Sequence, residues 1–169
     1  GHPEWRGRLV YVSVVVPSRE GVDRYANLKR EIDELVGRIN SRFGTIDWMP
    51  IQYMYRRLSE PELHALYSRA DIALVTPLRD GMNLIAKEYL ATRADERGVL
   101  VLSEMAGAAR ELLEALIVNP NNRAEIAGAL HRALTMPEAE QVARNRAMRA
   151  RLRERDVRHW ARRFLARLD

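Results

Sequence analysis

The chain has 169 residues, 47% hydrophobic and 30% charged, with no cysteine and a formal net charge of +5. Those values exclude collagen-like, disulfide-framed and low-complexity architectures and leave apolar material for one sizeable core. The longest apolar stretches, around Val10–Pro17 and Ile72–Pro77, fall well short of the roughly 20 residues that span a bilayer.

The opening Gly1-His2-Pro3-Glu4-Trp5-Arg6 lacks a basic-then-apolar leader, and the absence of cysteine suits a reducing compartment, so a cytoplasmic location is expected. Lys29 and Lys87 are the only lysines, so the positive charge is nearly all arginine. An anionic partner fits this balance, whether nucleic acid or a phosphorylated metabolite, and so does a plain arginine bias of the source genome.

Arg8–Pro17 is nearly continuously apolar and rich in β-branched residues, the pattern of a parallel strand buried on both faces. Val22, Tyr25, Leu28, Ile32, Leu35, Val36, Ile39 and Phe43 then recur at three-and-four spacing, a long amphipathic helix closed by Gly44. Ile46–Met54 predicts a second strand, and Ser59-Glu60-Pro61-Glu62 a capping box that opens a second helix. Asp71–Thr76 reads as a third strand, Asn83–Arg93 as a third helix and Gly98–Ser103 as a fourth strand. Ala106–Glu114 suits a short helix, Ala115–Val118 a fifth strand, and Asn122-Arg-Ala-Glu125 another helix start. From Glu138 the period is helical, and Arg144–Arg167 holds ten arginines against one Glu and one Asp. The alternation predicts an α/β, Rossmann-like open parallel sheet with helices on both faces, with ligands bound beyond the carboxyl ends of its strands.

The loop Thr76-Pro-Leu-Arg-Asp-Gly-Met-Asn-Leu84 leaves a buried strand and turns through Gly81 into a helix, which suits an anion. A helix start presents unpaired N–H groups and partial positive charge, so the amides from Asn83 to Ile85 are placed to hold a phosphate. Glu88, one to two turns in, is placed to accept from a ribose diol. The plainer reading of the same residues makes Asp80 a helix cap and Glu88 a solvated helix charge.

Thr76-Pro-Leu-Arg-Asp-Gly-Met-Asn-Leu-Ile-Ala-Lys-Glu88, with Val15-Val-Pro-Ser-Arg19, Arg38-Ile-Asn40, Val99-Leu-Val-Leu-Ser-Glu104 and Ala106-Gly-Ala108, closely resembles the C-terminal half of the trehalose-6-phosphate synthase family. Glucosylglycerol-phosphate synthases share much of this segment. The resemblance runs from about Val10 to Phe164. It implies a retaining, metal-independent glucosyltransferase of two facing Rossmann-like domains, the GT-B architecture. Such an enzyme moves glucose from UDP-glucose, as substrate rather than cofactor, to glucose 6-phosphate. It further implies that Asp80, the catalytic position, and the backbone of Gly81, Met82 and Asn83 hold the donor glucose. By the same resemblance the Leu84 and Ile85 amides meet the diphosphate, Glu88 takes the ribose, Leu58 lies beside the uracil, and Arg19 reaches the acceptor phosphate.

On this reading residues 1–7 are a cloning scar or disordered start, 8–136 a donor domain without its first strand, and 137–169 C-terminal helices packed on it. The acceptor half, and an Arg-x-Asp-Tyr-x-Lys-Gly strand that grips the diphosphate, lie outside the sequence, so the isolated chain is expected to be an incompetent transferase. The unpaired sheet edge is expected to favour self-association. A nucleic-acid-binding module built on the arginine-rich C-terminus, and a non-catalytic regulatory domain, are the rival readings. His2, His64, His131 and His159 show no metal-ligand spacing, and Trp5, Trp48 and Trp160 read as packing anchors.

Overall fold

The computed structural model describes residues 2–17 and 23–154. These fall into two compact units, divided between Ser59 and Glu60.

In the first unit Pro3–Trp5 makes a turn of 3-10 helix, followed by β1 (Tyr11–Val15), α1 (Asp23–Phe43) and β2 (Ile51–Tyr55). The strands pair in parallel, from Tyr11 opposite Ile51 to Val15 opposite Tyr55, which makes the unit a β-α-β crossover. Asn40, in the last turn of α1, extends the pairing with its amide. Its Nδ2 donates to the Ile51 carbonyl at 2.9 Å and its Oδ1 accepts from the Ile51 N–H at 3.0 Å. Gly44 donates to the Asn40 carbonyl at 2.8 Å and ends the helix, as its position predicts. β1 is shorter than the expected Arg8–Pro17, and it is partly exposed instead of buried on both faces: Val10, Tyr11 and Val16 are each more than two-fifths accessible. The reason lies in this unit's content, since it supplies β1 with one neighbouring strand and one helix, which cannot cover two faces and two edges.

The second unit carries the core. β3 (Ile72–Val75), β4 (Val99–Ser103) and β5 (Leu116–Val118) form a parallel sheet in the order β3-β4-β5, with Ile72 opposite Val99 and Val101 opposite Leu116. Every residue of the central strand β4 is buried. Leu100 and Leu102 point to a cluster with Tyr89, Leu90, Leu112 and Met148, and Val99 and Val101 to a second with Leu116, Val118, Ala133 and Met136. These residues lie on or beside α3 (Leu84–Thr92), α4 (Arg123–Thr135) and α5 (Glu138–Glu154). α3 and α5 thus cover one face and α4 the other, which is why β4 reads as an uninterrupted apolar run. α2 (Glu60–Arg69) packs beside α3.

All five strands overlap their expected segments, and the α/β class with parallel strands flanked by helices is established. β2 starts at Ile51 and not Ile46, because Thr45 and Trp48 close a turn by backbone hydrogen bonds. The helix expected over Ala106–Glu114 shrinks to a 3-10 turn, Gly107–Arg110. The Gly107 and Ala108 N–H groups are committed instead to carbonyls of the loop after β3.

The described part of the arginine-rich segment, α5, is tied to the body. Arg144 donates to Glu140 and to the Glu114 carbonyl, each at 2.8 Å. Arg151 grips the Glu114 carboxylate through both terminal nitrogens, at 2.6 and 2.8 Å, and the Glu111 carbonyl at 2.9 Å. Arg146 pairs with Glu96, and Arg149 with the Arg93 carbonyl. Residues 155–169, the rest of the basic segment, lie outside the described residues. Among the described residues no helix is long and apolar enough to cross a membrane.

Candidate functional site

The loop after β3 is held by the segment after β4. The Asp80 N–H donates to the Met105 carbonyl at 3.3 Å, the Gly107 N–H to the Asp80 carbonyl at 2.9 Å, and the Ala108 N–H to the Met82 carbonyl at 2.7 Å. Asp80 and Ala106 thereby form an isolated parallel bridge beyond the ends of β3 and β4. Fully buried Ser103 adds a clasp: its Oγ donates to the Pro77 carbonyl at 2.8 Å and accepts from the Met105 N–H at 3.1 Å. Residue 107 must be glycine for this docking, because a Cβ there would lie 2.0 Å from the Gly81 carbonyl oxygen. A Cβ at Gly81 would meet nothing within 4 Å, so its backbone faces open space where a ligand can approach.

Within the loop, Asp80 is the hub. One carboxylate oxygen accepts from the Met82 N–H at 3.0 Å and the other from Asn83 Nδ2 at 2.9 Å. These donors hold its carboxyl below the usual range, so it is a fixed anion at neutral pH. Asn83, buried and in the left-handed region at φ 72°, caps α3 by accepting from the Ala86 N–H at 2.9 Å. The cap is therefore Asn83 and not Asp80, which instead orients the cap. With the Ala86 amide satisfied, the Leu84 and Ile85 N–H groups at the start of the helix have no acceptor among the described residues. They carry the positive end of the helix dipole.

Glu88 lies one turn further along α3 and is exposed. Lys87 pairs with Glu111 at 2.8 Å. Leu78, Met82, Leu84, Ile85 and Met105 leave two-fifths or more of their surface exposed around the same loop. The arrangement thus offers two open amides, a fixed carboxylate, a second carboxylate one turn away, and apolar surface between them.

A family model described as glycosyltransferase family 20 matches residues 1–169. The chain belongs to glycosyltransferase family 20. Among its relatives this family 20 chain is 58% identical over 164 residues to a bifunctional trehalose-6-phosphate synthase/phosphatase of Thermoproteus tenax, covering 97% of the chain and 22% of the relative. It is 46% identical over 165 residues to a trehalose-6-phosphate synthase of Klebsiella pneumoniae, covering 97% and 35% respectively. Among solved structures it matches an α,α-trehalose-phosphate synthase (UDP-forming) from Burkholderia xenovorans in complex with glucose-6-phosphate, at 44% identity and a TM-score of 0.93, over 98% of this chain and 36% of that one. It also matches an E. coli protein bound with UDP-2-fluoro glucose, at 42% identity and a TM-score of 0.94, over 99% and 37%. The chain therefore spans between a fifth and two-fifths of the length of these relatives.

The structure brings together Asp80, Gly81, Met82, Asn83, Leu84, Ile85 and Glu88 at one end of α3. Leu58 belongs to the first unit, partly buried in the loop after β2, and Arg19 lies outside the described residues. Sequence reasoning quoted Ala106-Gly-Ala108 without reading its role, and passed over Ser103. Gly107, between two alanines just past a buried strand, carried the signal of a close backbone approach.

Proposed function

We propose that the protein to which this chain belongs transfers glucose from UDP-glucose to glucose 6-phosphate with retention, giving trehalose 6-phosphate, and that this chain supplies much of the donor site. The observation that carries the reading is the start of α3. Two helix-terminal amides without acceptors stand behind a loop locked by Asp80, with the Glu88 carboxylate one turn away. This is a spacing that suits a diphosphate followed by a ribose. Support comes from likeness to the E. coli protein bound with UDP-2-fluoro glucose and the Burkholderia protein in complex with glucose-6-phosphate.

In the proposed reaction the Leu84 and Ile85 amides meet the diphosphate and stabilise the charge that grows on it as the bond to the glucose anomeric carbon breaks. The acceptor hydroxyl attacks on the same face, and its proton passes to the departing phosphate oxygen, so no metal is required. Asp80, a fixed anion, accepts from donor glucose hydroxyls together with the backbone of Gly81, Met82 and Asn83, while Glu88 accepts from the ribose. Leu58 is assigned to the uracil side and Arg19 to the acceptor phosphate. The remainder of the enzyme completes the cleft in a GT-B arrangement, and the cytoplasm, where sugar nucleotides and sugar phosphates are used together, is the proposed location.

The test is the full-length gene product incubated with UDP-glucose and glucose 6-phosphate. Release of UDP and formation of trehalose 6-phosphate, both dependent on the phosphorylated acceptor, are expected. Absence of transfer from every glucose nucleotide tried would overturn the reading.

A further inference from the structure

Ser103 closes β4 and is fully buried. A hydroxyl in that position costs stability unless it is bonded, and this one bonds on both sides. It donates to the Pro77 carbonyl at 2.8 Å and accepts from the Met105 N–H at 3.1 Å. The bond to Pro77 falls where the ladder between β3 and β4 breaks. Val75 is the last β3 residue in register, opposite Leu102, and pairing resumes with Asp80 opposite Ala106. From Val75 to Asp80 is five residues and from Leu102 to Ala106 four, so the two chains meet again one residue out of step. Pro77 lies within the break and has no N–H with which to bridge it.

The offset decides which residue of the loop after β3 is presented beside Ala106 and Gly107. A parallel pair slipped by one residue turns each side chain to the other face, so the Asp80 carboxylate keeps its aim only while the offset holds. Two backbone groups at the join depend on Ser103. Its Oγ takes the Met105 N–H, and so places the carbonyl to which the Asp80 N–H donates, while its own carbonyl accepts from the Ala106 N–H at 3.1 Å. We infer that Ser103 is a positioning residue for donor-sugar recognition, its buried hydroxyl fixing the offset between the two loops and so the place from which Asp80 meets the glucose. This rests on the reading of the Asp80 loop as the donor-sugar site. The start of α3 is capped separately, by Asn83 on the Ala86 N–H, so diphosphate recognition does not run through Ser103.

The experiment compares the affinities of UDP-glucose and UDP, by calorimetry, for the full-length protein and its S103A, S103C, D80A and S103A/D80A variants. Ser103→Ala removes only the hydroxyl. It is expected to weaken UDP-glucose about three- to ten-fold, the range of one net hydrogen bond, and to change UDP by less than about two-fold. In the double variant the loss should not exceed that of Asp80→Ala alone, because the hydroxyl acts through the carboxylate. Ser103→Cys fills the same site with a weak donor and acceptor. It should lose UDP-glucose in the same selective way, and it carries the test where the alanine variant does not fold. Equal weakening of both ligands by the Ser103 variants, weakening of neither, or additive losses in the double variant would overturn the positioning role while Asp80→Ala still weakened UDP-glucose more than UDP. An unchanged UDP-glucose affinity in Asp80→Ala, or no UDP-glucose binding by the unaltered protein, would overturn the donor-sugar reading and this inference with it.

Discussion

Asp80 shows how a side chain proposed to meet the donor sugar can also be a structural part. Both of its oxygens accept from the loop, from the Met82 N–H and Asn83 Nδ2, so the anion that would meet a sugar hydroxyl is also what orders the residues around it. Those donors depress its carboxyl below the ordinary value of 3.8. With the folded value below the unfolded one, its contribution to stability is complete above the ordinary value and is lost as pH falls through the depressed one. The stability difference between the unaltered chain and Asp80→Asn should therefore be flat from neutrality down to about pH 5 and fade below about pH 4, as denaturant midpoints taken at a series of pH values would show. A difference that persisted unchanged at the acid end would contradict the assignment. In the Thr76–Glu88 segment the succession of strand, glycine turn and helix start was legible in the sequence. Which residue caps the helix was not, since Asp80 and Asn83 are both good caps and only the fold decides that Asn83 faces the Ala86 amide.

The connection after β4 is a template as much as a link. Its amides hold the loop after β3, and Gly107 lets the two backbones touch. Gly107→Ala would place a methyl on the Gly81 carbonyl and should cost about 1–3 kcal/mol of stability, as overpacking does. Gly81→Ala, with open space at its Cβ, should change stability by less than about 0.5 kcal/mol. Thermal unfolding of both variants checks the pair, and equal losses would show that the docking is not tight. The same competition for amides explains why Ala106–Glu114, helical by composition, gives only a 3-10 turn: tertiary hydrogen bonds to Asp80 and Met82 replace the helical ones. No single-sequence pattern shows a contact between residues this far apart. On the opposite side of the balance, the alternation of strands and helices was readable along most of the chain, because strands covered on both faces give apolar runs such as Val99–Leu102. β1 misled for the complementary reason, since its apolar run is only partly covered within its own unit.

The arginines that raise the chain's pI invite a nucleic-acid reading, and in α5 Arg144, Arg146, Arg149 and Arg151 each bond to another part of the chain. Arg151 and Glu114 form a two-pronged pair, which lowers the Glu114 carboxyl below its usual value, and Arg144 reaches the Glu114 carbonyl. Both partners keep about a quarter of their surface exposed, so solvent screens the pair. Glu114→Gln should lower stability by about 0.5–1 kcal/mol, with the difference shrinking in high salt. A loss insensitive to salt would assign the effect to packing instead. Such pairing places α5 against the sheet and in the service of the scaffold, whereas the start of α3 keeps two open amides beside exposed Met82, Leu84 and Ile85. Whether that end is a nucleotide site is decided by hydrogen–deuterium exchange of the full-length protein with and without saturating UDP. The account predicts that the Leu84 and Ile85 amides, without acceptors in the free chain, exchange quickly alone and are protected by UDP together with the Gly81–Glu88 segment. UDP binding that protects other segments and leaves this one unchanged would contradict it.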